Sequence, residues 1–504
     1  MTPALEVLQN VFGYTGFRPG QEKVIHAVLA GRDCIGVMPT GAGKSLTFQV
    51  PAKILRGTVL VISPLISLMK DQVDALLQNG FRVTLINSTI TFEERRLRLG
   101  AFKRGEYELI YLAPESLEGS LRDFLKECPV SLLVVDEAHC ISHWGHDFRP
   151  AYRKLQGLKA ELGNVPVLAL TATATRTVAG DIIKLLGMVK PEGFKGSFFR
   201  PNLLITCQKK GEGRNSRKDL LSLILQRRGQ SGIIYCLSRK TVDATAEFLR
   251  AHGVRALSYH AGLPDKERGR SQEAFARDEA DVVVATVAFG MGIDKSNVRY
   301  VIHRDMPKTL ENYSQEIGRA GRDGLLSDCI LFYSWVDVIN YDRFLAEIQD
   351  PEVAASTKRK TVEMFRWADR RTCRHRGLTA YFEETIGDCG SSCDLCRKIS
   401  LDDLLRQASP RAEAEPNIPS LPRRAISAKT SALSDPLFDN LKVLRRSLAD
   451  AQGVPAYIVF SDAVLLRMVE QRPRTREEFL NLSGVGPAKL ARYGEVFLRA
   501  IIGG

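Results

Sequence analysis

Short runs of β-branched and aliphatic residues alternate with amphipathic stretches over roughly the first 335 residues of the chain. Thr58-Val59-Leu60-Val61-Ile62, Leu132-Leu133-Val134-Val135 and Val167-Leu168-Ala169-Leu170 are apolar on both sides of the chain. Such continuous runs predict strands buried on both faces, as in a parallel sheet. Gly232-Ile233-Ile234-Tyr235, Asp281-Val282-Val283-Val284 and Tyr300-Val301-Ile302 repeat the pattern. The stretches between them have helical length and period, so the pattern predicts an α/β architecture with parallel sheets. The Gly-rich, basic segment Lys209–Arg217 reads as a loop within the second unit, and residues 341–400 read as helical and basic. Residues 401–433, containing SPRAEAEPNIPSLPRR, read as a flexible linker. Helical periodicity returns over 434–504, with one Gly-rich turn.

A length of 504 residues implies roughly three or four such units. The formal net charge of +13 favours a polyanionic partner, nucleic acid first. The chain has no apolar run near the roughly 20 residues of a membrane-spanning helix, and MTPALEVLQNVFGY lacks the features of a secretory signal. The expectation is therefore a cytoplasmic protein with no membrane partner. Six of the ten cysteines stand singly, whereas Cys373, Cys389, Cys393 and Cys396 crowd together. In a reducing compartment that cluster points to metal rather than to disulfides.

The candidate chemistry begins at Pro39-Thr40-Gly41-Ala42-Gly43-Lys44-Ser45, between an apolar run and a helical pattern. Glycines there let backbone N–H groups curl around phosphates; Lys44 reaches the β/γ-phosphates and the Ser45 hydroxyl takes Mg²⁺. Met38 stands where the longer consensus has glycine, so the match is to the short TGxGKS form. Asp136-Glu137-Ala138-His139 follows the Leu132–Val135 run. A carboxylate at a strand end suits Mg²⁺ (Asp136), and its neighbour Glu137 suits the attacking water, with His139 beside it. Arg319 and Arg322, three apart in QEIGRAGRDG, suit the charge that develops during phosphoryl transfer. Arg322 is the candidate finger and Arg319 a γ-phosphate or coupling contact.

These motifs resemble those of the RecQ helicases of superfamily 2. Phe12-Gly13-Tyr14 with Phe17-Arg18-Pro19-Gly20-Gln21, the run Ser63–Gln72, Asp136 through Pro150, Leu170–Thr175, Thr286–Lys295 and the Arg319/Arg322 segment match in order and spacing over residues 5–335. The resemblance implies two RecA-like parallel-sheet domains (1–200 and 201–340) with ATP between them, moving 3′→5′ on single-stranded DNA. It also implies that Tyr14 and Arg18 sandwich the adenine, that Gln21 reads its edge, and that Thr40, Gly41 and Gly43 cradle phosphate. Trp144, His146, Phe148 and Arg149 correspond to an aromatic-rich loop that stacks bases and touches phosphate. The implied substrates are single-stranded and forked DNA in repair, recombination and the SOS response, with single-stranded-DNA-binding protein as a candidate partner. A monomer, associated with the bacterial nucleoid, is expected. A DNA-stimulated ATPase that remodels protein–DNA complexes and an RNA helicase are the competing readings.

C-x15-C-x3-C-x2-C supplies four thiolates for a closed structural Zn²⁺ site, with an Fe–S cluster as the rival occupant. The resemblance places a helical zinc-binding module at 341–400, although the family more often has two residues where three separate Cys389 from Cys393. The basic run Lys358-Arg359-Lys360 either tracks a DNA backbone or forms a solvated helix face. Residues 434–504 resemble the small all-α HRDC bundle. Its Leu482–Lys489 turn has N–H groups suited to a phosphate, and Lys489, Arg492 and Tyr493 are candidate DNA contacts. The 37 residues 397–433 are too few for the winged-helix domain that RecQ proteins usually carry there.

Overall fold

The computed structural model describes residues 2–503 except Leu65, Glu118, 143–147, Thr173, Glu212, 290–294, 346–349 and 407–434. It divides into two units. The first holds Met1–Phe198 with Pro473–Arg499, and the second holds Phe199–Gly290 with Lys295–Arg472.

The first unit is built on seven parallel strands: β1 (Cys34–Val37), β2 (Thr58–Ile62), β3 (Val83–Ile86), β4 (Leu109–Leu112), β5 (Val130–Val135), β6 (Val167–Thr171) and β7 (Glu192–Lys195), in the order β3-β4-β2-β5-β6-β1-β7. The continuous apolar runs are explained by burial on both faces. Leu60, Ile62, Leu133, Val135 and Ala169 enter one core cluster, while Val59, Val61, Leu132, Val134 and Leu168 enter the other. Strand β1 lies between β6 and β7, so the phosphate loop springs from inside the sheet rather than from its edge. Loops at the carboxyl ends of parallel strands are where such sheets bind ligands.

The second unit is a six-stranded parallel sheet of β8 (Leu203–Lys209), β9 (Ser231–Tyr235), β10 (Ala256–Tyr259), β11 (Val282–Ala285), β12 (Val298–His303) and β13 (Ser327–Tyr333), ordered β10-β11-β9-β12-β13-β8. The basic loop sits between β8 and the helix Ser216–Leu225, whose N-cap Asn215 accepts from the N–H groups of Arg217 and Lys218. Edge strand β8 is covered on its open side by the cysteine segment. Ile205 N–H donates to Ser392 O at 3.0 Å, and Cys207 N–H donates to Asp394 Oδ2 at 3.0 Å. An edge so covered offers no row of free backbone groups to another chain.

One sequence expectation is corrected here. Residues 401–406 belong to the second unit and not to a linker: Leu401–Arg406 is helical, and Leu401 and Leu404 join the core against the helix Ser216–Leu225. The rest of the expected linker, from 407, lies outside the described residues. The helical reading of 341–400 corresponds to the helices Pro351–Asp369 and Arg374–Tyr381.

Candidate ATP site, metal centre and tail

The phosphate loop runs from the buried β1 to the helix Leu46–Ala52, and its Gly41 and Gly43 have φ of 83° and 82°. That left-handed backbone is glycine territory. A Cβ on Gly43 would lie 2.6 Å from Gln21 Nε2, so the loop closes directly on the helix Gln21–Leu29. Gln21, 1% exposed, donates from Nε2 to Gly43 O at 2.9 Å and accepts at Oε1 from Arg18 N–H at 2.8 Å. Arg18 Nη1 donates to Gly41 O at 2.7 Å, while the Tyr14 ring is exposed. Arg18 and Gln21, two of the three residues expected to hold adenine, thus brace the phosphate loop, and Gln21 must exchange a bond before it can read a base edge.

Lys44 and Glu137 meet across the loop, Nζ to Oε1 at 3.4 Å. Glu137 adopts φ 47°, a strained conformation for a residue with a side chain. Its N–H donates to Asp136 Oδ1 at 3.0 Å, and its other carboxylate oxygen lies 3.3 Å from His139 Nδ1. His139, 3% exposed, also lies 2.9 Å from Thr171 Oγ1 at the end of β6. Asp136 is anchored by its backbone, its carbonyl accepting from Tyr152 Oη at 2.8 Å. Lys44, Ser45, Asp136 and Glu137 therefore stand beyond the carboxyl ends of β1 and β5, where the Ser45 and Asp136 oxygens fit a hard cation and the Lys44 ammonium fits the phosphates it would bind. Thr171 joins this site; the sequence places it in the matched Leu170–Thr175 motif without assigning it a role.

Of the aromatic loop, Trp144 and His146 lie outside the described residues. Phe148 and Arg149 are half-buried; the Arg153 guanidinium lies 5.5 Å from the Phe148 ring, and Arg149 Nη1 donates to Pro64 O at 3.2 Å.

In the second unit, Arg319 and Arg322 follow the helix Leu310–Ile317. Arg319 is 9% exposed and faces Tyr235, whose ring stacks on His303 at 5.2 Å. His303 Nε2 lies 2.7 Å from Glu316 Oε2, which ties β12 to the helix that presents both arginines.

The four cysteines converge, with all Sγ atoms within 4.8 Å of one another. Cys373 Sγ accepts from the N–H groups of Cys389 at 3.2 Å and Arg376 at 3.5 Å, the environment a thiolate ligand needs. The set fits a tetrahedral zinc ion, and the three-residue interval after Cys389 does not disturb the convergence. In the neighbouring basic run, Lys358 pairs with Asp342 at 3.1 Å and Lys360 with Glu311 at 2.8 Å. Those two charges are partly neutralised within the protein.

The tail departs from expectation. The Gly484 N–H donates to Gly13 O at 2.8 Å, and the Val485 N–H donates to Leu482 O at 3.0 Å, so these groups are not open to a phosphate. Tyr493 is 2% exposed, its hydroxyl 3.0 Å from Gln78 Oε1, and Arg492 turns to the same carboxamide. Tyr493 is thus a packing residue in this arrangement rather than an exposed DNA contact. Lys489 is half-buried, and burial pushes its ammonium down to about 8.

Two parallel sheets, with a phosphate loop and acidic pair on the first and paired arginines on the second, define the class of two-domain helicase ATPases. The chain matches the DEAD/DEAH box helicase model over residues 18–180, the helicase conserved C-terminal domain over 215–324, RecQ zinc-binding over 335–397 and the HRDC domain over 434–501. It is 37% identical to the ATP-dependent DNA helicase RecQ of Pasteurella multocida, covering 99% of this chain and 93% of that protein. The Bacillus subtilis counterpart is 36% identical, with coverage of 99% and 98%. The chain belongs to the RecQ family of ATP-dependent DNA helicases. The fold is similar to that of Mycobacterium smegmatis helicase Lhr bound to ssDNA and AMP-PNP (TM-score 0.53, 17% identity, 91% of this chain and 72% of that one). It is similar also to the DUF1998 helicase MrfA bound to DNA and AMPPNP (TM-score 0.54, 16% identity, 77% and 59%). No helix among the described residues is long and apolar enough to cross a membrane.

Proposed function

We propose that this ATP-dependent DNA helicase moves 3′→5′ along single-stranded DNA and opens forked duplexes in repair and recombination. The observation that carries the reading is the meeting of Lys44 with Glu137 beside Asp136, on a loop braced by Arg18 and Gln21. In this reading Lys44 holds the β/γ-phosphates, while Thr40, Gly41 and Gly43 shape the cradle. Ser45 and Asp136 would hold Mg²⁺, which would supply positive charge to the phosphates. Glu137 takes the proton of the attacking water, and His139 holds the glutamate toward Thr171. Arg322 is the finger for the transferring phosphate, with Arg319 as its γ-phosphate or coupling contact. Tyr14 and Arg18 flank adenine and Gln21 reads its edge. Trp144, His146, Phe148 and Arg149 report bound DNA to the adjacent acidic pair. Cys373, Cys389, Cys393 and Cys396 hold zinc.

The domains of this reading are 1–200, 201–340, a zinc module at 341–400 and 434–504; it is supported by the family matches at 18–180, 215–324, 335–397 and 434–501. A monomer, a nucleoid location and a contact with single-stranded-DNA-binding protein complete the proposal.

A second reading, ATP-driven remodelling of protein–DNA complexes with weak unwinding, is favoured by the 37-residue interval after Cys396. Strand displacement on duplexes tailed at either end separates the two. Unwinding only from a 3′ tail supports the helicase reading, whereas DNA-stimulated ATPase without displacement supports the remodeller. Lys44→Ala is expected to abolish ATPase while DNA affinity stays near wild type. ATPase at the wild-type level would refute the phosphate-loop assignment.

A further inference from the structure

The loop that carries Arg319 and Arg322 is held at Gly321 from both sides. The Gly321 N–H donates to Val298 O at 3.0 Å. Its carbonyl accepts from Arg200 Nη2 at 2.9 Å and from Asn202 Nδ2 at 2.9 Å. The same two side chains also reach Ala320 O, at 3.3 Å from Arg200, and Leu325 O, at 3.0 Å from Asn202. They brace each other, Arg200 Nε donating to Asn202 Oδ1 at 3.2 Å. Asn202 is itself fixed by its backbone, since Ser327 N–H donates to its carbonyl at 2.9 Å.

There is no slack in this arrangement. Gly321 has φ +57°, and a Cβ there would meet Asn202 Nδ2 at 2.4 Å and Leu325 O at 2.7 Å. The Gly321 carbonyl and the Arg322 N–H share one planar peptide unit. Fixing that carbonyl therefore fixes the peptide plane that carries the Arg322 N–H and Cα, and so restrains where the Arg322 side chain starts. Arg200 and Asn202 lie in the segment by which the chain enters the second unit at Phe199. The other side of that segment is held too, by Ser392 Oγ donating to Pro201 O at 2.7 Å.

We propose that Arg200 and Asn202 are positioning residues for ATP hydrolysis, clamping the Ala320, Gly321 and Leu325 carbonyls so that Arg322 is held in its working orientation. The inference rests on the reading of Arg322 as the arginine finger. A finger is worth roughly 10³–10⁵ in rate only while its guanidinium is in place, and a displacement of about 1 Å costs on the order of 100-fold. Its contact strengthens in the transition state, so loss of the clamp lowers kcat and spares the KM for ATP.

The test is DNA-stimulated ATPase of the full chain for Asn202→Asp, Arg200→Ala, Arg200→Lys and Arg322→Ala. Asn202→Asp keeps the shape but turns an oxygen toward two carbonyls. It is expected to lower kcat by on the order of 10- to 100-fold, with KM within about twofold and with zinc content and Tm near wild type. Affinity for ADP with aluminium fluoride should fall by the same factor as kcat, and affinity for ADP alone should not. Arg200→Lys, which keeps the charge and one donor, should lose less than Arg200→Ala. If Arg322→Ala abolishes turnover while Asn202→Asp and Arg200→Ala leave kcat unchanged, the clamp is overturned and the finger stands. A fall in kcat accompanied by a raised KM and a lowered Tm in both Asn202→Asp and Arg200→Lys would also overturn it, as an ordinary structural anchor. If Arg322→Ala turns over normally, the finger reading fails and takes the clamp with it.

Discussion

Gly43 shows how little freedom the phosphate loop has. Its φ of 82° is unfavourable for any side chain, and a methyl group there would press on Gln21 Nε2 at 2.6 Å. Left-handed backbone costs a non-glycine residue about 1–2 kcal/mol, before any displacement of Gln21 is counted. Gly43→Ala is therefore expected to weaken ATP binding by about tenfold or more, read as a raised KM for ATP, with single-stranded DNA affinity unchanged. At this scale the sequence was informative wherever chemistry is local. Lys44, Asp136 and Glu137 stand in short motifs, and the strands that bring them together are visible as apolar runs. It was uninformative where the partner is remote. Arg200 and Asn202, more than a hundred residues before Gly321, carry no local mark of their contacts. Tyr493 and Arg492 are misleading for the same reason: an aromatic and a cation after a Gly-rich turn look like a nucleic-acid contact, and only packing reveals that Gln78 takes both.

At the scale of elements, legibility follows burial. Strands β2, β5, β6, β9, β11 and β12 are buried on both faces, so the apolar runs stand out. Strand β7, Glu-Gly-Phe-Lys at the edge of the first sheet, has no such run. The helix Leu401–Arg406 was obscured by the Pro-rich stretch that follows, although the spacing of Leu401, Leu404 and Leu405 is amphipathic. The cysteine segment shows what neither pattern conveys, that a metal module serves also as the cover of an edge strand. Its linchpin is the buried pair of Arg374 and Asp394, 3.1 Å apart, in which Arg374 also donates to Ala368 O at 2.7 Å and Arg370 O at 2.8 Å. Asp394 in turn accepts from the Cys207 N–H of β8. Removing one partner of a buried pair leaves the other charged and uncompensated, which costs about 3–5 kcal/mol. Asp394→Ala is expected to lower the urea midpoint accordingly, with a matching loss of bound zinc by metal analysis. An unchanged midpoint with wild-type zinc would mean that β8 and the cysteine segment are not coupled through this pair.

For the molecule as a whole, the instructive feature is the packing of Pro473–Arg499 within the first unit. Contact there is backbone against backbone. A Cβ on Gly13 would lie 2.4 Å from Val485 C, and one on Gly486 would lie 2.6 Å from Val11 O. Gly13 immediately precedes Tyr14, so the turn expected to meet DNA lies against the segment expected to meet adenine. Lys489 at the end of that turn reports on the packing through its charge. Burial lowers its pKa to about 8, against about 10.4 for a free lysine. Between those values the packed form binds fewer protons than the unfolded chain, so stability rises as pH climbs from about 8 toward 10.4. Below about 8 both forms are protonated and the penalty of burying the cation is constant. Lys489→Met removes the ionisable group while keeping a flexible apolar stem. Its Tm should therefore exceed that of the wild type near pH 7, and the difference should narrow as the pH passes through 8 to 10. A difference that stays flat across that range would place the Lys489 ammonium in water, and the packing of the turn against Gly13 would then not hold in solution.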